Sequence, residues 1–141
     1  MVPLYYPWQD GLNKPIVVCA VCFERKNQFE YGRAIYNAIV KSKKNVAFIA
    51  SGDLSHRLTH DAPAGYDEAG QEFDAQLVEY IENNELNKIK TINEDLIERA
   101  GECGLRSINV LHGVISEQKF KPEVLSYEGP FGVGYLVARF Q

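Results

Sequence analysis

Two continuous apolar runs stand out from the polar background. Residues 16–23 (Ile-Val-Val-Cys-Ala-Val-Cys-Phe) and 46–51 (Val-Ala-Phe-Ile-Ala-Ser) are rich in β-branched or bulky residues and lack polar alternation. Such runs predict strands buried on both faces of a parallel or mixed sheet. Between them Tyr31, Ile35, Ala38 and Ile39 recur at helical spacing, and Lys41, Lys43 and Lys44 follow where a helix C-terminus favours cations. Strand, helix and strand with short links make a βαβ unit.

Further on, Asp61 to Gly65 reads as a loop broken by Pro63 and Gly65. Phe73, Leu77 and Ile81 mark the inward face of a longer helix, with Asp74, Glu79 and Glu82 off that line. Asn93 is placed to cap a short helix, with Glu94 and Asp95 in its first turn and Gly101 just past its end. Leu105 to Ile115 fits either period, and the break at Gly104 favours a helix. Residues 123–127 and 133–140 read as two strands around a turn at Gly129-Pro130, with Gly132 and Gly134 leaving part of the second strand bare. No repeat, linker or low-complexity stretch interrupts the 141 residues, so one domain, or a piece of one, is expected.

Composition narrows the function classes. Hydrophobic residues make up 45% of the chain, enough for a packed core. The net charge is −4, which disfavours nucleic-acid binding. No apolar run approaches the ~20 residues that span a bilayer, so no membrane partner is expected. The first eight residues do not read as a signal peptide. Three cysteines are an odd number for a disulfide framework and suit a reducing cytoplasm.

The strongest local signal is Ser51-Gly52-Asp53-Leu54-Ser55-His56, directly after the second apolar run. Ligands in open α/β sheets bind beyond the carboxyl ends of strands, so Gly52, Asp53 and Ser55 are candidate substrate-binding residues. His56 is the candidate catalytic residue, because histidine's ordinary pKa of about 6.5 suits general acid–base work. A polar turn with an exposed histidine is the plainer reading. His56 and His60 form an H-x-x-x-H pair that could hold zinc with an aspartate, although Arg57 stands where a zinc protease needs glutamate. Cys19 and Cys22 have redox spacing, yet they fall within a predicted strand and read as core residues. Glu102-Cys103-Gly104 lies between two helical segments, either as a simple turn or as a source of metal ligands. His112, among apolar residues, reads as a core histidine.

Three blocks in order carry a family resemblance: residues 49–58 (IASGDLSHRL), 100–108 (AGECGLRSI) and 126–135 (SYEGPFGVGY). Together they resemble the catalytic (B) subunit of class III extradiol ring-cleaving dioxygenases, most closely its Memo-like bacterial branch, over essentially the whole chain. The resemblance implies a LigB-like three-layer α/β/α fold with a mixed sheet and a mononuclear Fe(II) site of the two-His-one-carboxylate type. It implies an aromatic diol and dioxygen as substrates, with His56 matching the histidine that moves protons. Glu102 and Cys103 fall where the family places its third ligand, a carboxylate in the dioxygenases and a cysteine in Memo-like members. A cysteine there turns metal preference towards softer ions.

The family's two histidine ligands come from an N-terminal half that has no counterpart here. The only histidines are His56, His60 and His112. The resemblance therefore implies the C-terminal part of the domain, with weak iron binding and weak or no activity on its own. It implies self-association or a separately encoded N-terminal half as partner. Three functions compete: an extradiol-type oxidoreductase, a non-catalytic ligand- or partner-binding domain, and a zinc hydrolase using His56 and His60.

Overall fold

Helix α3 organises the core of the computed structural model, which describes residues 2–21 and 26–141. It runs Glu68–Glu82, and the side chain of Asp67 caps it by accepting from the amide of Ala69. Phe73, Leu77 and Ile81 recur every four residues and are all essentially inaccessible. They pack on Leu54, on Leu86 and Ile89 of the 3-10 turn Leu86–Thr91, and on Leu96, Ile97 and Ala100 of α4 (Glu94–Ala100). Asn93 caps α4 through the amide of Asp95, and Gly101 ends it in the left-handed region at φ 63°.

The ambiguous stretch is a helix, α5 (Leu105–Ile115), and it buries Leu105, Ser107, Val110, Gly113 and Val114. Helix α2 (Gln28–Ser42) lies against it at very close range. A Cβ on Gly32 would sit 2.0 Å from the carbonyl oxygen of Val110, and one on Gly113 would sit 2.1 Å from that of Phe29. Neither position tolerates a side chain. A short helix α1 (Val2–Gln9), unmarked by any sequence period, precedes both.

The sheet has two antiparallel strands among the described residues, β1 (Pro122–Glu128) and β2 (Tyr135–Phe140). They pair from Pro122 with Phe140 to Glu128 with Tyr135, with a bulge between Val124 and Ser126. Val124, Leu136, Ala138 and Phe140 turn towards the core. The content is α/β.

Three expectations require correction. Residues 16–21 and 46–51 join no ladder, and Val17 is 85% exposed. A buried strand needs neighbours for its amides and carbonyls as well as cover for its side chains. No third strand among the described residues provides them. Cys19 is consequently exposed rather than in the core, while Cys22 and Phe23 lie outside the described residues. Finally, Asp74 does not face solvent. It is 0% exposed, turned inward beside Phe73.

Candidate functional site

The segment 52–58 is held on three sides. Leu54 buries its side chain in the core and donates its amide to the carbonyl of Gly134 (2.9 Å). The amide of Gly134 returns a bond to the carbonyl of Ser55 (2.8 Å), and Leu58 donates to Gly132 (3.0 Å). On the opposite side the segment meets the C-terminus of α4, whose last carbonyls have no helical partner. The hydroxyl of Ser55 and the amide of His56 both donate to Ala100, and Arg57 Nη1 donates to Arg99. Asp67 pairs with Arg99 at 2.7 Å and with Arg57 at 3.7 Å, tying the start of α3 to the same place. The Arg99 hydrogen bond holds the carboxyl of Asp67 below the usual carboxylate range.

His56 completes this set. Its Nδ1 lies 2.7 Å from the carbonyl oxygen of Gly101. A carbonyl only accepts, so Nδ1 carries the proton and the neutral ring presents a bare Nε2. Nε2 lies 3.5 Å from Asp53 Oδ2.

Cys103 comes from the turn between α4 and α5. Its Sγ accepts from the amide of Asp53 (3.2 Å), and its own amide donates to the carbonyl of Asp53 (3.2 Å). Two glycines permit the crossing. A Cβ on Gly52 would sit 2.5 Å from Gly104 Cα, and one on Gly104 would sit 2.8 Å from the carbonyl of Asp53. One ligand atom from each of Asp53, His56 and Cys103 falls within 4.8 Å of the others.

That donor set suits a divalent ion. Imidazole nitrogen, carboxylate oxygen and thiol sulfur are the ordinary ligands of zinc and of late first-row metals. Three protein atoms on a partly open surface leave room for exchangeable ligands, as in catalytic rather than structural centres. The His56–Gly101 bond is the outer-shell contact that usually fixes a metal-binding histidine.

The other candidates fall elsewhere. Glu102 Oε2 accepts from the amide of Leu105 (2.7 Å), so its carboxylate caps α5. Ser55 is fully buried, and its hydroxyl also accepts from the amide of Arg57 (3.0 Å). His60 is exposed against Tyr66, with ring centres 4.7 Å apart, and does not join His56. Residues 56–60 are not helical, so the H-x-x-x-H spacing does not put both rings on one face. His112 is half-buried, edge-on to Phe29 at 4.8 Å, and burial, with Lys90 nearby, lowers its pKa. A hollow of about 380 Å³ between Leu58, Gln71, Ala75 and Tyr127 includes none of the three cluster residues.

Sequence reasoning missed Asp74. Its Oδ1 accepts from the amide of Ser55 (2.8 Å) and its Oδ2 from the hydroxyl of Tyr127 (2.7 Å). Burial raises its pKa, and the two bonds partly oppose that rise. Burial and the same carboxylate push the Tyr127 hydroxyl up. No local sequence signal distinguishes this aspartate from a solvent-facing one.

A family model described as the catalytic LigB subunit of aromatic ring-opening dioxygenase matches residues 1–138. The chain is also 40% identical over 142 residues to Protein CA_C1420 of Clostridium acetobutylicum, covering 100% of this chain and 30% of that protein. It thus spans less than a third of the length of that curated relative.

Proposed function

This chain belongs to the family of the catalytic LigB subunit of aromatic ring-opening dioxygenase, and from that premise we propose that it carries the proton-transfer residue and part of the metal site of a dioxygen-using, extradiol-type oxidoreductase. The observation that carries the proposal is the convergence of Asp53, His56 and Cys103 within 4.8 Å. Fe(II) is the ion the family suggests; when bound, such an ion brings an aromatic diol and dioxygen together for ring opening.

The chain's own residues divide the remaining work. Cys103 Sγ and Asp53 Oδ2 are the anchoring donors on this side of the site. His56 Nε2, bare because Nδ1 is committed to Gly101, takes a proton from a diol hydroxyl and later returns it. The imidazolium formed in between is stabilised by Asp53, 3.5 Å away, and by the carbonyl end of α4. Gly52 lets the site segment cross the Cys103–Gly104 turn closely enough to bring Asp53 to Cys103, and Ser55 fixes the loop from beneath.

The same convergence favours a second reading, in which His56 Nε2 is itself a ligand and the chain is a metal-binding domain without catalysis. Anaerobic titration with Fe(II), and with Co(II) as a spectroscopic probe, separates the two. The acid–base reading expects Cys103→Ser to abolish binding, and His56→Ala to keep the ion within a few-fold but abolish catechol cleavage. If His56→Ala releases the ion, the ligand reading replaces it. If the unaltered chain binds neither ion, both metal readings fail.

The three-layer mixed sheet and the partner belong to this proposal. Val17, Val18, Val46 and Ile49 are exposed on runs with strand composition. We assign them to strands completed by a second copy or by an N-terminal LigB segment, which would bring the family's histidines to the open side of the site. The free thiols of Cys19 and Cys103 favour the reducing cytoplasm.

A further inference from the structure

Asp74 is a fully buried carboxyl group that no step above uses. An apolar side chain on this face of α3 would avoid the cost of burying a carboxylate. The carboxylate instead joins three elements. It accepts from the amide of Ser55 in the site segment and from the hydroxyl of Tyr127 on β1. It also fits against Gly134, where an added Cβ would lie 2.0 Å from Oδ2. Gly134 is the residue that exchanges backbone bonds with Leu54 and Ser55.

Ser55 is therefore fixed at both ends, its amide by α3 and its hydroxyl by α4. The next residue is His56, whose amide and Nδ1 sit on the carbonyls of Ala100 and Gly101. Rotation about the Ser55–His56 backbone would carry Nδ1 off Gly101 and leave the ring free to protonate on either nitrogen. We propose that Asp74 is a positioning residue for His56: it holds the Ser55 amide, Tyr127 orients it, and together they keep the imidazole proton on Nδ1. This rests on the reading of His56 as the working residue of the site.

The test uses the full chain, metal-free and labelled with nitrogen-15, and reads the His56 tautomer by long-range nitrogen–proton NMR. The unaltered chain is expected to show one tautomer with the proton on Nδ1. Asp74→Asn still offers an oxygen to Ser55 and should keep it. Asp74→Leu removes the acceptor and should give mixed tautomers. Tyr127→Phe removes one of the two bonds at a surface residue. It should give partial mixing with an unchanged far-ultraviolet spectrum, and Co(II) affinity within a few-fold, because Asp53 and Cys103 are the anchoring donors. If Asp74→Leu does not fold, Tyr127→Phe decides alone. A folded Tyr127→Phe with the tautomer of the unaltered chain overturns the proposal. A proton on Nε2 in the unaltered chain overturns the reading of His56 itself, and is told apart because it needs no variant.

Discussion

Asp53 and Cys103 hold one another through two reciprocal hydrogen bonds, amide to sulfur and amide to carbonyl, each 3.2 Å. Because the sulfur reaches the cluster through this pairing, Cys103 and its neighbour Glu102 should behave oppositely on substitution. Cys103→Ser is expected to abolish Co(II) binding with little change in the urea midpoint. Glu102→Ala, which removes the cap on Leu105, should cost about 1 kcal/mol of stability and leave Co(II) affinity within a few-fold. Loss of metal binding in Glu102→Ala alone would reverse the assignment.

The crossing of Gly52 over Gly104 leaves no space for a methyl group. Gly52→Ala should destabilise the chain by about 1–3 kcal/mol, the usual range for overpacking, because the clashing atoms are backbone. It should also weaken Co(II) binding by prising Asp53 away from Cys103. Urea unfolding followed by metal titration checks both, and an unchanged midpoint would show that the two segments are not in contact.

Asp74 gives the chain a pH signature. Its folded pKa is raised, chiefly by burial. The stability associated with its neutral form is therefore fully present below the unfolded value of about 3.9 and is lost as pH rises through the folded value. Asp67, lowered by Arg99, acts in the opposite sense, with stability present at higher pH and lost on acidification. Comparison with Asp74→Asn cancels the Asp67 contribution. The variant's advantage in unfolding free energy should grow as pH rises from about 4 and then level off. A difference independent of pH would mean that Asp74 is solvated.

The exposed apolar runs make an associative prediction. Light scattering across a concentration series should show self-association that Val18→Lys with Ile49→Lys suppresses. Both residues are exposed, so the double variant should keep its melting temperature within a few degrees. A monomer at all concentrations would favour an N-terminal LigB segment over a second copy as the cover for these runs.

What the sequence made legible follows from the range of the forces involved. Helices α3, α4 and α5 and the terminal hairpin were readable because period, cap and turn are local. Asn93, Gly101 and Phe73-Leu77-Ile81 each announce their roles within one or two turns. The runs 16–21 and 46–51 have strand composition, but a strand also needs a neighbour, and composition carries no information about one. Asp74 was misplaced because its partners, Ser55 and Tyr127, lie 19 and 53 residues away. At the site, the residues around His56 stood out as a motif, and family resemblance drew attention to Glu102 and Cys103. Choosing between them needed the fold, because the bond from the Leu105 amide to Glu102 depends on where α5 begins.

The Asp53–Cys103 pairing spans 50 residues of chain, and polymer physics gives that separation a thermodynamic meaning. In the chain-entropy picture, a covalent tie closing a loop of that length contributes about 4 kcal/mol. An ion gripped by both residues would act as a reversible tie of the same kind. At a hundred times its dissociation constant it would add about 2.7 kcal/mol to the folded state. Helices α3 and α4 lie inside that loop, so the melting temperature of this chain becomes a gauge of whether its site is filled.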